Sequence, residues 1–154
     1  MREIIFRGKR IDTDEWVYGG LIDYRGGQFA ITIQHHVPTY VSVHPETVGQ
    51  YTGIKDKNGN RIFEGDIVRG QIYYGEEDID TGAIGVVGFG QHRQDGSAGE
   101  FEASLCLGFF IEVIKHKVNT ESKTVSLIDP KGKNNLIEVI GNIHNNPNPL
   151  EESR

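Results

Sequence analysis

The sequence predicts a mostly β fold with little helix: a small barrel, SH3-like in part, or two packed small antiparallel sheets. Three observations predict it. Glycine accounts for 20 of the 154 residues against five prolines, and glycine supplies the positive-φ positions of tight turns and bulges. Runs that alternate apolar and polar residues, the period of a half-buried strand, recur at close spacing. No stretch of about ten residues sustains the i, i+3, i+4 apolar spacing of an amphipathic helix.

Taken in order, residues 4–6 (IIF) open a short strand that ends in a turn at Gly8. Residues 15–22 (EWVYGGLI) put Trp16 and Tyr18 on one face. A turn at residues 25–27 (RGG) leads into residues 28–34 (QFAITIQ). There Phe29, Ile31 and Ile33 point one way and Ala30, Thr32 and Gln34 the other, so the two runs form a hairpin. Residues 40–43, between Pro38 and Pro45, add an edge strand. Residues 47–54 alternate weakly. Asp56-Lys57-Asn58-Gly59 is the strongest turn signal in the chain, because Asp caps a type I turn and Asn-Gly supplies the left-handed residue. A second turn, Glu64-Gly65-Asp66, precedes a strand over 67–74.

Beyond an acidic loop at 75–82, residues 83–89 form a strand and residues 90–99 (GQHRQDGSAG) a long polar loop. Residues 101–113 contain CLGFFIEVI, apolar on both faces, which predicts a central strand. Strands at 125–128 and 136–143 flank a turn at 130–133. Residues 1–52 read as an N-terminal β-hairpin region, 53–145 as a barrel-like region and 146–154 as a tail, in one compact domain.

Composition narrows the function classes. Hydrophobic residues make up 36% and charged residues 25%, too apolar a balance for a disordered chain. The net charge of −6 weighs against a nucleic-acid partner, whose phosphates select Lys and Arg. Cys106 is the single cysteine, so no disulfide forms within the chain. The opening MREIIFRGKR lacks an apolar core of signal-peptide length, and no run is long enough to span a bilayer. The expectation is a cytoplasmic protein of a bacterial host, with no membrane partner.

Residues 46–70 read ETVGQYTGIKDKNGNRIFEGDIVRG. This segment resembles the signature of the YopX-like family of phage and prophage proteins. The opening FRGKR with Trp16-Val17-Tyr18-Gly19, and the closing EVIGNIHNNP at 138–147, resemble that family too. The resemblance implies a β-rich fold and a phage or prophage origin. It supplies no catalytic residue, so the catalytic set is unknown.

Several constellations invite chemistry. Asp56, Asn58, Glu64 and Asp66 could offer oxygen ligands to a divalent ion. The calcium-loop spacing fails, however, because Ile54 falls at its first position. Turn hydrogen bonding explains the same residues better. His35 and His36 are adjacent, so strand geometry points their rings to opposite faces. His92, Arg93 and Asp95 could form an acid–base set, but nothing fixes them near a nucleophile. Cys106 between Leu105 and Leu107 reads as a small buried hydrophobe. Glu-Gly-Asp-Ile-Val with the later Gly85-Val86-Val87 has an SH3-like layout, an analogy of fold alone.

The leading expectation is a non-catalytic protein-interaction or oligomeric assembly module, without a cofactor. Its partner would be a second copy or a host or phage protein, with Trp16, Tyr18, Tyr40 and Tyr51 as candidate anchors. The alternatives are a nucleic-acid-binding small β-barrel, and a metal-dependent hydrolase using Asp56, Glu64 and Asp66.

Overall fold

The computed structural model describes residues 3–34, 38–70, 83–94, 104–115, 124–126 and 137–145. The chain divides into two compact units, residues 1–53 and 54–154. The elements are β1 (Phe6–Lys9), β2 (Trp16–Tyr24), β3 (Gln28–Gln34), β4 (Pro38–Val43), a 3-10 turn (Pro45–Thr47), β5 (Gly49–Lys55), β6 (Arg61–Phe63), β7 (Asp66–Gly70), β8 (Ala83–Gln94), β9 (Ser104–Lys115), β10 (Thr124–Ser126) and β11 (Ile137–Asn142). They form two antiparallel sheets, of order β4-β3-β2-β1-β5-β6 and β10-β9-β8-β7-β11.

In the first unit, β2 and β3 pair through the turn at Gly26 and Gly27, both at positive φ. Register places Ile31 opposite Leu21 and Val41, and Ile31 and Val43 are fully buried. The sheet curls strongly. A Cβ on Gly19 would run into the Thr32 carbonyl, and one on Gly8 would meet the Val43 side chain at 2.9 Å. Glycine at position 19 therefore lets β2 and β3 approach, and glycine at position 8 leaves room for the Val43 side chain of β4. The curl brings the end of β4 to the end of β1. Arg10 and Val43 form a single antiparallel bridge, Ile11 N–H donates to the Ser42 carbonyl at 3.2 Å, and His44 N–H donates to the Lys9 carbonyl at 2.8 Å. Thr47 locks this end by donating its hydroxyl to the His44 carbonyl and accepting from Lys9 N–H.

The barrel-like form expected over residues 53–145 is corrected by the second sheet, which is open, with β10 and β11 at its two ends. In the first sheet β1 and β4 meet only at that isolated bridge, and β1 pairs with β5 through Phe6 opposite Gln50 and Arg7 opposite Gly49. Two antiparallel sheets, the other form expected, are what is found.

The second unit is built on β8 and β9, each 12 residues long. Its core gathers Ile62, Val68, Ala83, Val87, Phe109, Ile111 and Ile137. β8 runs to Gln94, five residues past the strand end expected at Phe89. Residues 90–94 have no alternation to announce a strand. They form one because β9 supplies a partner at each position, Gln91 opposite Leu107 and His92 opposite Cys106 among them. The expected loop at 75–82 and the turn at 130–133 lie outside the described residues.

Candidate interaction surfaces

The turn residues of the central segment are occupied by structural hydrogen bonds. Asp56 is 3% exposed. Its Oδ1 accepts from the N–H groups of Asn58 (2.9 Å) and Asn60 (2.8 Å), and its Oδ2 from Asn60 Nδ2 and Val139 N–H, both 3.1 Å. Gly59, at φ 84°, closes the turn by donating to the Asp56 carbonyl. Burial opposes ionisation of Asp56, and the donors from Val139, Asn60 and Asn58 outweigh it, so its pKa lies below the ordinary carboxylate value. Asp66 is fully buried and accepts from Phe63 N–H at 2.7 Å, which fixes the turn around Gly65. Glu64 is half-buried. Among the described residues no group of three His, Cys, Asp or Glu side chains could hold a metal ion.

The Asp56 turn also caps a sheet edge. Lys57 N–H donates to the Ile137 carbonyl at 2.9 Å, beside the Val139 N–H bond to Asp56. Both β11 groups point away from β7, so the turn occupies positions a further strand would use. On the sheet face Glu138 pairs with Lys57 and Arg69, each at 2.6 Å. Hydrogen bonds from these two side chains lower its pKa.

Three of the four aromatic residues singled out in the sequence lie on the outer face of the first unit. Register and period two place Trp16, Tyr18 and Tyr40 there, with Tyr24. The Arg7 guanidinium sits 4.8 Å and the Lys9 ammonium 5.6 Å from the Trp16 ring centroid, within cation–π range. Tyr18 and Tyr40 are exposed, Tyr40 at 62%. The Tyr24 and Tyr40 rings are 6.3 Å apart. Partial desolvation, then the neighbouring Tyr40, pushes the Tyr24 phenol's pKa up. Tyr51 is 4% exposed and its N–H donates to the Ile5 carbonyl, which leaves little of it for a partner to touch.

The β8–β9 ribbon carries three exposed large apolar side chains on one face, a surface that sequence reasoning missed. β7 pairs with β8 over Ala83–Val86, and β10 with β9 over Phe110–Glu112. Beyond Gly88, among the described residues, the two strands have only each other. Their core-facing side continues from Val87 and Ile111 into Phe89, Leu107 and Leu105, which are 51%, 77% and 62% exposed. Phe89 meets Phe109 edge to face, at 4.9 Å between centroids. On the other side the Phe110 ring covers Gly88, and the His92 ring lies 5.0 Å from it. His92 is buried, with Nδ1 3.2 Å from the Gly90 carbonyl, so it is not the loop histidine expected. Cys106 is half-buried. Asp95, His35 and His36 lie outside the described residues.

The family model described as YopX protein matches residues 5–151. The chain belongs to the YopX family. A comparison with curated proteins found no match. The YopX match embraces both compact units and so covers the Asp56 turn, the outer aromatic face and the ribbon together. Among the described residues no helix is long and apolar enough to cross a membrane.

Proposed function

We propose that this YopX-family chain is a non-catalytic protein-binding module, encoded by a phage or prophage, whose contact surface is the outer half of the β8–β9 ribbon. The observation that carries the reading is the exposure of Phe89, Leu105 and Leu107 along one face of that ribbon. A two-stranded ribbon is marginal in water by itself, and an apolar face on it is stabilised when another surface covers it. Protein is favoured over nucleic acid by charge: the chain carries 16 Lys and Arg against 22 Asp and Glu. Catalysis is disfavoured because Asp56 and Asp66 already accept backbone hydrogen bonds.

The test is the solution mass of the full chain and of Leu107→Glu, by light scattering. The reading expects assembly in the parent chain and a lower mass in the variant, with an unchanged circular dichroism spectrum. An unchanged mass in both Leu107→Glu and Leu105→Glu would remove the ribbon as the self-association surface.

A further inference from the structure

The outer face of the first unit carries a second inference, on residues separate from the ribbon. Arg7 and Lys9 stand apart from Trp16 and Tyr18 in the sequence, but the β1–β2 register sets Arg7 opposite Tyr18 and Lys9 opposite Trp16. Facing residues of an antiparallel pair share a face, so two cations and two rings lie together on one surface. Along β2 by period two, the same face passes Gly20 and reaches Tyr24, and Tyr40 stands on it across Thr32. Tyr18, Tyr24 and Tyr40 are exposed there. Between them Gly20 has no side chain, and the Thr32 hydroxyl is held against the Gly20 backbone, 3.0 Å from its nitrogen and 3.2 Å from its carbonyl oxygen. The surface between the rings is therefore low.

The chain as a whole is acidic, yet sheet parity sorts the charges of this unit. Asp23 is the only acid in β1 to β4. It lies opposite Phe29, on the face turned away from the rings. In the connecting turns Asp12 pairs with Arg10, Glu15 accepts from the Thr13 hydroxyl, and Asp14 and Glu46 lie beside His44. The aromatic face has half-exposed Lys9 at its Trp16 end, and exposed Arg25 in the turn that follows Tyr24. Buried Arg7 holds its guanidinium against the Trp16 ring and adds positive potential there.

We propose that this face binds single-stranded nucleic acid, with bases stacked on Trp16, Tyr18 and Tyr40 and phosphates drawn to Lys9 and Arg25. An aromatic ring accepts any base, because every base has a π-face, and neighbouring cations follow the backbone. Trp16 and Tyr18 are two strand residues apart, about 6.6 Å, which gives adjacent bases separate rings. A duplex buries the same π-faces within its own stack. A neutral glycan or a proline-rich peptide would use the rings but leave the cations, and the exclusion of acid from this face, without a role. Charge therefore selects the occupant. The proposal does not rest on the ribbon, whose partner is protein: Phe89, Leu105 and Leu107 take no part in it.

Trp16 is the only tryptophan of the chain, so its fluorescence reports on this face. The full chain is titrated at low salt with an oligothymidine of about ten nucleotides, within the usual span of such sites, with its duplex, and with polyglutamate. Expected is quenching by the single strand, with an affinity that falls as salt rises. The duplex, and polyglutamate, which brings negative charge without bases, leave the emission unchanged at the same concentrations. Tyr18→Ala and Tyr40→Ala each weaken binding about 5- to 150-fold, the loss of about 1–3 kcal/mol that one stacked base represents. Tyr18→Phe keeps the ring and retains the affinity. Lys9→Gln lowers the salt slope by about 0.7, the share of one phosphate contact on a single strand. Circular dichroism establishes that each variant is folded, and either alanine variant decides alone should the other fail to fold. No quenching by the single strand, equal binding of the duplex or polyglutamate, or unchanged affinity in a folded alanine variant would overturn the proposal.

Discussion

Replacing Asp56 by alanine tests the reading of the central turn as structure. The carboxylate accepts from Asn58 N–H, Asn60 N–H, Asn60 Nδ2 and Val139 N–H. Asn58 and Asn60 are exposed, so their donors regain water when the carboxylate is removed. Val139 N–H lies on a half-buried strand and is left without its acceptor. With hydrogen bonds to a charged group contributing about 1.5–3 kcal/mol each, and an orphaned buried donor costing a similar amount, the expected loss is about 2–4 kcal/mol. The loss is pH-dependent. Because the folded-state pKa is lowered, the contribution of Asp56 is complete above the unfolded-state value of about 3.9 and disappears as pH falls through the folded-state pKa. Urea unfolding from neutral to acid pH, read by amide exchange at Val139 and its β11 neighbours, measures this. The parent and variant curves converge at the acid end. A variant within about 0.5 kcal/mol of the parent at pH 7, the range of ordinary surface substitutions, or parallel pH profiles, would refute the reasoning.

Two further substitutions follow from the same geometry. Asp66→Ala leaves Phe63 N–H unsatisfied in a buried turn and lowers stability by about 1–3 kcal/mol, measured by urea unfolding; Asp66→Asn, which keeps an acceptor, recovers part of it. Gly19→Ala drives a Cβ against the Thr32 carbonyl, so β2 and β3 must separate; faster amide exchange across the β2–β3 ladder shows it, whereas Gly26→Ala, at φ 96° with open space around it, costs only local turn strain.

Much of this was legible in the sequence where local chemistry decides. The Asp-Lys-Asn-Gly turn and the alternation of residues 28–34 each name their own conformation, and the structure has Asp56 and Gly59 in the turn and Ile31 facing inward. What was illegible depends on partners distant in sequence. Val139 lies 83 residues from Asp56, and nothing in either segment announces that the turn caps the β11 edge. Residues 90–94 carry no strand period and become strand because β9 runs beside them. Leu105 and Leu107 looked like core in an apolar run, but β10 pairs only with Phe110–Glu112 and leaves them exposed. The barrel expectation for residues 53–145 failed for a related reason: a turn motif suggests a fold family, while closure depends on whether the end strands meet, and β10 and β11 stand at opposite ends of an open sheet.

The central proposal is that the protein assembles through the exposed apolar face of the β8–β9 ribbon. Sedimentation equilibrium of the unaltered chain beside Leu107→Glu and Leu105→Glu tests it most directly. The proposal predicts an assembled parent and a smaller species in each variant. A parent that sediments at the chain mass at every concentration would contradict it.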